Sequence, residues 1–241
     1  MPNKFDDPVL SDELTPAYVL HSRKYGEHHL LVDMFSCSAG RIPLMVRGGA
    51  AAKSTRRGML QPFNPLLITW SGRGRIANLK QVENRSCYVL PRGKALFSGF
   101  YLNELLIRLV DQYEPMPELF RSYEKTIESL GDGLALDLPL RCFELELLQT
   151  LGYGVDLLHE GQSGVAVSAQ AYYHYESETG LRRVPQEAGF LAQGDTLMAL
   201  ARQQALDVRQ SREARELMRH ILGFYLGDRP LKSREFFYTP G

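Results

Sequence analysis

The chain has 241 residues, 44% hydrophobic and 23% charged, a balance that fits folded domains with length enough for one large core or two small ones. No stretch is apolar for long enough to span a bilayer, and Met1-Pro-Asn-Lys-Phe-Asp-Asp-Pro lacks the basic start and apolar run of a signal peptide. Its 28 basic and 28 acidic side chains cancel, so any charged partner must be inferred from where the charges lie and not from their sum.

Residues 1–15 hold Pro, Asp and Asn without periodicity and are expected to form a loose extension. Strand-like runs then follow at short spacing, over Ala17–Arg23, Leu30–Ser36, Arg41–Arg47, Pro65–Ser71 and Ile76–Glu83. Turn signals separate them: Tyr25-Gly26, Ala39-Gly40, the small-residue loop Gly48–Gly58 and Ser71-Gly-Arg-Gly74. Five strands over residues 16–90 predict a five-stranded barrel of the oligonucleotide-binding (OB) type. Pro43 and Pro65 must then sit at edges or bulges, because neither can donate to a ladder.

Charge is segregated inside this part. Between Met34 and Val82 there is no Asp or Glu, while Arg41, Arg47, Lys53, Arg56, Arg57, Arg73, Arg75 and Lys80 all occur. Arg41-Ile-Pro-Leu-Met-Val-Arg47 alternates, which places Ile42, Leu44 and Val46 on one side and Arg41, Met45 and Arg47 on the other. A run of cations is often only a solvated face, but solubility needs no such purity. Cationic strands beside a mobile basic loop suit a nucleic-acid backbone, with Arg41, Arg47, Lys53, Arg56, Arg57, Arg73 and Arg75 as candidate contacts. Trp70 and Tyr18 read either as stacking platforms for bases or, more plainly, as core residues.

Past Pro91 the apolar period changes from two to 3.6. Lys94–Gln112 is a strongly apolar helix, Pro117 opens a second that Gly131 ends, and Asp137 caps a third running to Leu151. Leu102–Glu160 carries twelve acids against the four bases Arg108, Arg121, Lys125 and Arg141, an acidic counterweight to the barrel. Residues 161–194 read as an irregular insertion with a hairpin, Tyr172–Tyr175 turning through Glu178-Thr-Gly180. Short helix Thr196–Ala205 and amphipathic helix Arg212–Leu226 follow, then a basic, aromatic tail from Pro230 to Phe237. The fold class expected is therefore α+β: an OB barrel followed by a mostly helical domain, residues 91–241, that holds a small hairpin.

Nothing argues for catalysis. His28 and His29 are adjacent, so in a strand they point to opposite faces and cannot share an ion with His21 or Asp33. Cys37, Cys87 and Cys142 stand alone and read as reduced thiols of a cytoplasmic protein, with no ligand set for zinc. Glu144 and Glu146 diverge on a helix, Glu104 and Asp111 read as solvated or capping, and no phosphate loop or nucleophile elbow occurs. No cofactor is expected.

Five strings in order, Tyr18-Val-Leu-His-Ser-Arg23, Gly58-Met-Leu-Gln-Pro-Phe63, Tyr101-Leu-Asn-Glu-Leu-Leu106, Arg141-Cys-Phe-Glu-Leu-Glu-Leu-Leu148 with Leu151-Gly-Tyr153, and Pro230-Leu-Lys-Ser-Arg-Glu235, resemble the bacterial recombination mediator family RecO. The resemblance spans about residues 16 to 236. It implies a cytoplasmic, nucleoid-associated protein of recombinational DNA repair that binds single- and double-stranded DNA and anneals complementary strands. Such proteins act with RecR to load RecA onto strands coated by single-stranded-DNA-binding protein (SSB). In enterobacterial members the helical domain takes up the acidic, Phe-ending SSB tail beside an arginine. Arg141 matches that arginine by its place in the string, with Leu140 and Phe143 beside it, and a guanidinium suits a terminal carboxylate. The plainer role for Arg141 is a helical pair with Glu144 or Asp137. Many relatives also carry four zinc-binding cysteines after the Leu-Gly-Tyr string; His159–Gly164 here has none, so the hairpin must be held by its tyrosines and packing. Two other classes fit parts of the pattern: a protein-interaction adaptor docking an acidic partner, and an RNA-binding OB module.

Overall fold

The structure, a computed structural model, describes residues 11–49, 55–72, 75–86, 91–132, 136–186, 189 and 191–233. The chain divides into two compact units, the first comprising Met1–Gly133 with Leu231–Gly241 and the second Leu134–Pro230.

The first unit is built on a closed barrel in the order β1-β2-β3-β5-β4, with β1 Ser11–Tyr25, β2 His29–Ser36, β3 Gly40–Val46, β4 Leu66–Ser71 and β5 Ala77–Asn84. All neighbours are antiparallel except β3 and β5, which close the barrel through the parallel pairs Leu44 with Ala77 and Met45 with Asn78. This is the five-stranded OB-like barrel that the strand spacing predicts. Val19, Val32, Met34, Ile42, Leu44, Val46, Leu66, Ile68 and Leu79 fill the interior, so the period-two reading of β3 is right. Pro43 pairs with Asp33 on β2 and lies just outside the short β3–β5 ladder, where a missing N–H costs nothing. Gly40 turns β2 into β3 at φ 65, and a Cβ there would lie 1.8 Å from the Glu114 carbonyl oxygen.

Strand β1 begins earlier than expected. Ser11 pairs with Trp70 and Thr15 with Ile68, so part of the predicted loose extension belongs to the sheet; residues 1–10 lie outside the described residues. The loop 48–58 also differs: Thr55–Met59 forms a short helix, α1, while residues 50–54 are not described.

Helices α2 (Lys94–Leu109) and α3 (Pro117–Gly131) cover the outside of β1 and β2 in the same unit. Phe35 and Tyr18 point outward from the strands and meet α3, with Phe35 5.6 Å from Phe120 and Tyr18 5.3 Å from Tyr123, ring centre to ring centre. β1 carries a bulge between Val19 and His21, and Asn103 of α2 occupies it. Its amide donates to Leu20 O at 2.9 Å, and its carbonyl accepts from Tyr123 Oη at 2.7 Å. One buried amide thus joins the bulge, α2 and α3, satisfying backbone that a bulge leaves unpaired.

α2 stops at Leu109, short of the Gln112 read from the apolar period. Val110 is extended, Gln112 bridges to Arg41 of β3, and Tyr113 N donates to Arg41 O at 2.9 Å. Pairing with the barrel therefore ends the helix where propensity alone would continue it.

The second unit holds α4 (Asp137–Thr150), the sheet β7-β6-β8, α5 (Gly194–Ala201) and α6 (Val208–Leu226). The hairpin is β6 Tyr172–Glu176 with β7 Gly180–Val184, joined on its other side by β8 Ala192–Gln193. Tyr173 and Tyr175 are buried, and the Tyr173 hydroxyl accepts Ser168 N at 2.9 Å. Asp207 and Gln210 form a reciprocal capping box at the start of α6. Its buried face is Ala214, Leu217, Met218, Ile221 and Leu222, the stripe read from the sequence. No helix among the described residues is long and apolar enough to cross a membrane.

Candidate nucleic-acid interface

The fold sorts the candidate cations into two sets. Lys53 and Arg73 lie outside the described residues. Arg47, Arg56, Arg57 and Lys80 form the first set, around the outward side of β3 and β5. On β5, Ala77, Leu79 and Val82 face the core while Lys80 is exposed and Asn78 half-buried. Arg47 Nε, just past β3, donates to Asn78 Oδ1 at 3.2 Å, and Arg56 Nη2 of α1 donates to Lys80 O at 3.3 Å. These bonds go to neutral oxygens. Among the described residues, no carboxylate forms an ion pair with Arg47, Arg56, Arg57 or Lys80. The charges therefore remain available to an anion. Exposed Lys80 belongs with this set although it was not among the candidates; alternation outward from Leu79 was the signal for it.

Arg41 and Arg75 belong to the second set, which lines a cleft of about 640 Å³ in the first unit. Arg41 is half-buried, and its Nη1 donates to Ile107 O near the end of α2. A guanidinium there satisfies a carbonyl that the helix leaves open and favours the negative end of its dipole. Arg41 thus has a structural duty that the sequence pattern does not reveal. Arg75 is exposed, and the Tyr113 hydroxyl donates to its carbonyl at 3.0 Å. Burial pushes the Tyr113 phenol up to about 12, so it stays a donor at neutral pH. Arg23 of β1 joins these two cations, and Asp33 of β2 and Asp111 after α2 bring carboxylates to the same cleft.

Trp70 and Tyr18 are 2% and 1% exposed, and both are core residues, Trp70 inside the barrel and Tyr18 against α3. The Tyr18 hydroxyl bonds Glu124 Oε1 at 3.0 Å, and Arg85 pairs with the same carboxylate. Burial first, then the Glu124 charge and hydrogen bond, raise the Tyr18 pKa well above the usual phenol range.

In the second unit Arg141 and Phe143 lie on α4 at 5% and 0% exposure, with Leu140 beside them at 8%. The guanidinium is not unpaired: Arg141 Nη2 donates to Glu144 Oε1 at 2.8 Å, and Glu144 is wholly buried. The i, i+3 pairing is therefore present. A carboxylate ligand would share the guanidinium with Glu144. Asp137, the other partner considered, instead pairs with Arg215 of α6 at 2.8 Å. After the Leu151-Gly-Tyr153 string, Asp156 Oδ2 pairs with His159 Nδ1 at 2.9 Å. The described residues hold no group of three or more His, Cys, Asp or Glu placed to hold a metal ion.

Two further residues escaped the sequence reading as site builders. Asn103 sits in the middle of an apolar helix, where an unbonded amide would be expensive; that cost was the signal for it. Glu104 is a cap, as one of its readings had it, but of a distant segment: it accepts Lys232 N at 2.9 Å and Ser233 N at 2.8 Å.

A closed OB-like barrel with a cationic side, followed by a mostly helical part with a small hairpin, defines a class of OB-barrel proteins built in this two-part way. The sequence comparisons narrow the class. Residues 10–88 match the family model Recombination protein O N terminal and residues 91–235 match Recombination protein O C terminal. The DNA repair protein RecO of Methylococcus capsulatus is 44% identical over 225 residues, covering 93% of this chain and 92% of its own length. That of Alkalilimnicola ehrlichii is 45% identical over 226 residues, covering 92% and 89%. That of Haemophilus influenzae is 40% identical over 233 residues, covering 95% and 97%. The chain belongs to the RecO family of DNA repair proteins.

Proposed function

We propose that this chain binds single- and double-stranded DNA without sequence readout, anneals complementary strands, takes up the acidic SSB tail, and acts with RecR to load RecA onto SSB-coated DNA. The observation that carries the DNA-binding part is the set Arg47, Arg56, Arg57 and Lys80, gathered on one side of the barrel with no carboxylate ion pair among the described residues. Phosphates replace water and counterions at such cations, and the released ions supply the driving force. Lys53 and Arg73, outside the described residues, and Arg41 and Arg75 of the cleft are the other sequence candidates for phosphate contacts. Two strands held on cationic surfaces repel one another less, which lowers the barrier to annealing.

The mechanism is physical and needs no covalent step. Family membership and the Arg141-x-Phe143-Glu144 string support tail binding at Arg141, Leu140 and Phe143. Docking the tail raises the local concentration of the coated strand, so weak contacts at the barrel act together.

Two variants separate the sites. Lys53→Ala/Arg56→Ala/Arg57→Ala is expected to weaken oligonucleotide binding while a peptide of the SSB tail still binds. Arg141→Lys keeps the charge beside Glu144 but removes the planar fork, and is expected to weaken the peptide about tenfold with DNA binding retained. Equal losses in both assays for either variant would defeat the two-site reading.

A further inference from the structure

Carboxylates are out of place on a surface meant for phosphates, because they repel them. Asp33 and Asp111 nevertheless share a cleft with Arg23, Arg41 and Arg75. Neutralising those cations would explain them, but among the described residues neither carboxylate forms an ion pair. They remain acceptors open to a donor.

A DNA strand carries its donors on the base edges. Guanine presents N1–H and N2–H side by side, which matches the two oxygens of one carboxylate. Thymine presents a single N–H between two carbonyls, which a carboxylate repels. The cleft holds about 640 Å³, within the range of roughly 300–1,000 Å³ common for small-molecule sites and ample for one nucleotide. Its remaining wall is Leu31, Pro43, Ile76 and Gln112, of which the first three offer apolar surface to the face of a ring. We propose that this cleft holds one unpaired nucleotide, its phosphate toward Arg23 and Arg75 and a guanine edge on Asp33 or Asp111. The inference rests on the reading that the barrel binds DNA and adds a base preference to a surface otherwise blind to sequence.

Fluorescence anisotropy on the full chain tests it, with a thymine-only oligonucleotide and the same strand carrying isolated guanines. The chain is expected to favour the guanine-bearing strand about tenfold, the discrimination of one bidentate contact. Asp33→Ala/Asp111→Ala is expected to abolish that preference while binding the thymine strand as tightly or more tightly, since repulsion has been removed. Asp33→Asn/Asp111→Asn keeps the shape of both side chains and is expected to lose the preference equally. No preference in the unaltered chain, or one that survives in both variants, would overturn the inference and leave phosphate binding standing. Failure of the unaltered chain to bind either strand at low salt would overturn both.

Discussion

Glu104 on α2 accepts the Ser233 hydroxyl at 2.6 Å across 129 residues of sequence. The same carboxylate also takes the amides of Lys232 and Ser233. The chain leaves the first unit after Gly133 and rejoins it at Leu231, so this carboxylate fastens the returning segment.

Glu104→Gln removes the charge that accepts three donors, and a loss of about 2 kcal/mol is expected. Ser233→Ala removes one donor and is expected to cost about 1 kcal/mol. Burial works against the Glu104 charge, but the Ser233 hydroxyl, the two amides and Arg108 outweigh it, and its pKa falls below the ordinary 4.5. The sign follows: the contribution is fully present above pH 4.5 and is lost as pH falls through the lower folded value. Urea unfolding from pH 7 into that acid range should show a gap between the unaltered chain and Glu104→Gln that narrows with acid. A gap independent of pH would contradict the role of the charge.

Asn103 is the second fastening. Asn103→Ala leaves the Leu20 carbonyl and the Tyr123 hydroxyl without their amide, two buried groups stranded at once. A loss of about 3 kcal/mol is expected, and about 1 kcal/mol for Tyr123→Phe, which removes the donor but leaves the bulge bonded. Denaturant midpoints check both values, and equal effects would mean that the bulge carbonyl contributes nothing.

Arg141 presents the reverse problem. Arg141→Ala removes the guanidinium paired with the buried Glu144 carboxylate, and breaking a buried pair in this way typically costs about 3–5 kcal/mol. Replacing both residues, as Arg141→Met/Glu144→Leu, is expected to restore most of the loss. Thermal unfolding of the single and double variants checks this. If Arg141→Ala is as stable as the unaltered chain, the pair contributes little and the site is open enough for Ala to report tail binding directly.

Much of this architecture was legible because it rests on periodicity. Ile42, Leu44 and Val46 alternate with Arg41 and Met45, and that pattern alone separates core from surface in β3. The α6 stripe is equally plain. What was not legible depends on partners distant in sequence. Arg41 looks like any surface cation until Ile107 is seen accepting it. Arg141 carries a pairing that i, i+3 spacing allowed but could not choose over Asp137. Ser11–Thr15 has no alternation, so only β4 shows that it is a strand. Helix α1 spans five residues, including Gly58, too few and too poor in helix formers to announce itself.

The central claim is that cations on the β3–β5 side of the barrel neutralise phosphates, and the salt dependence of binding measures this most directly. With about five phosphates contacted on a single strand, log K should fall with log salt at a slope near −3.5, and Arg47→Ala/Arg56→Ala/Arg57→Ala should reduce it to about −1.4. A flat response in the unaltered chain, or a slope that the triple variant leaves unchanged, would contradict the account.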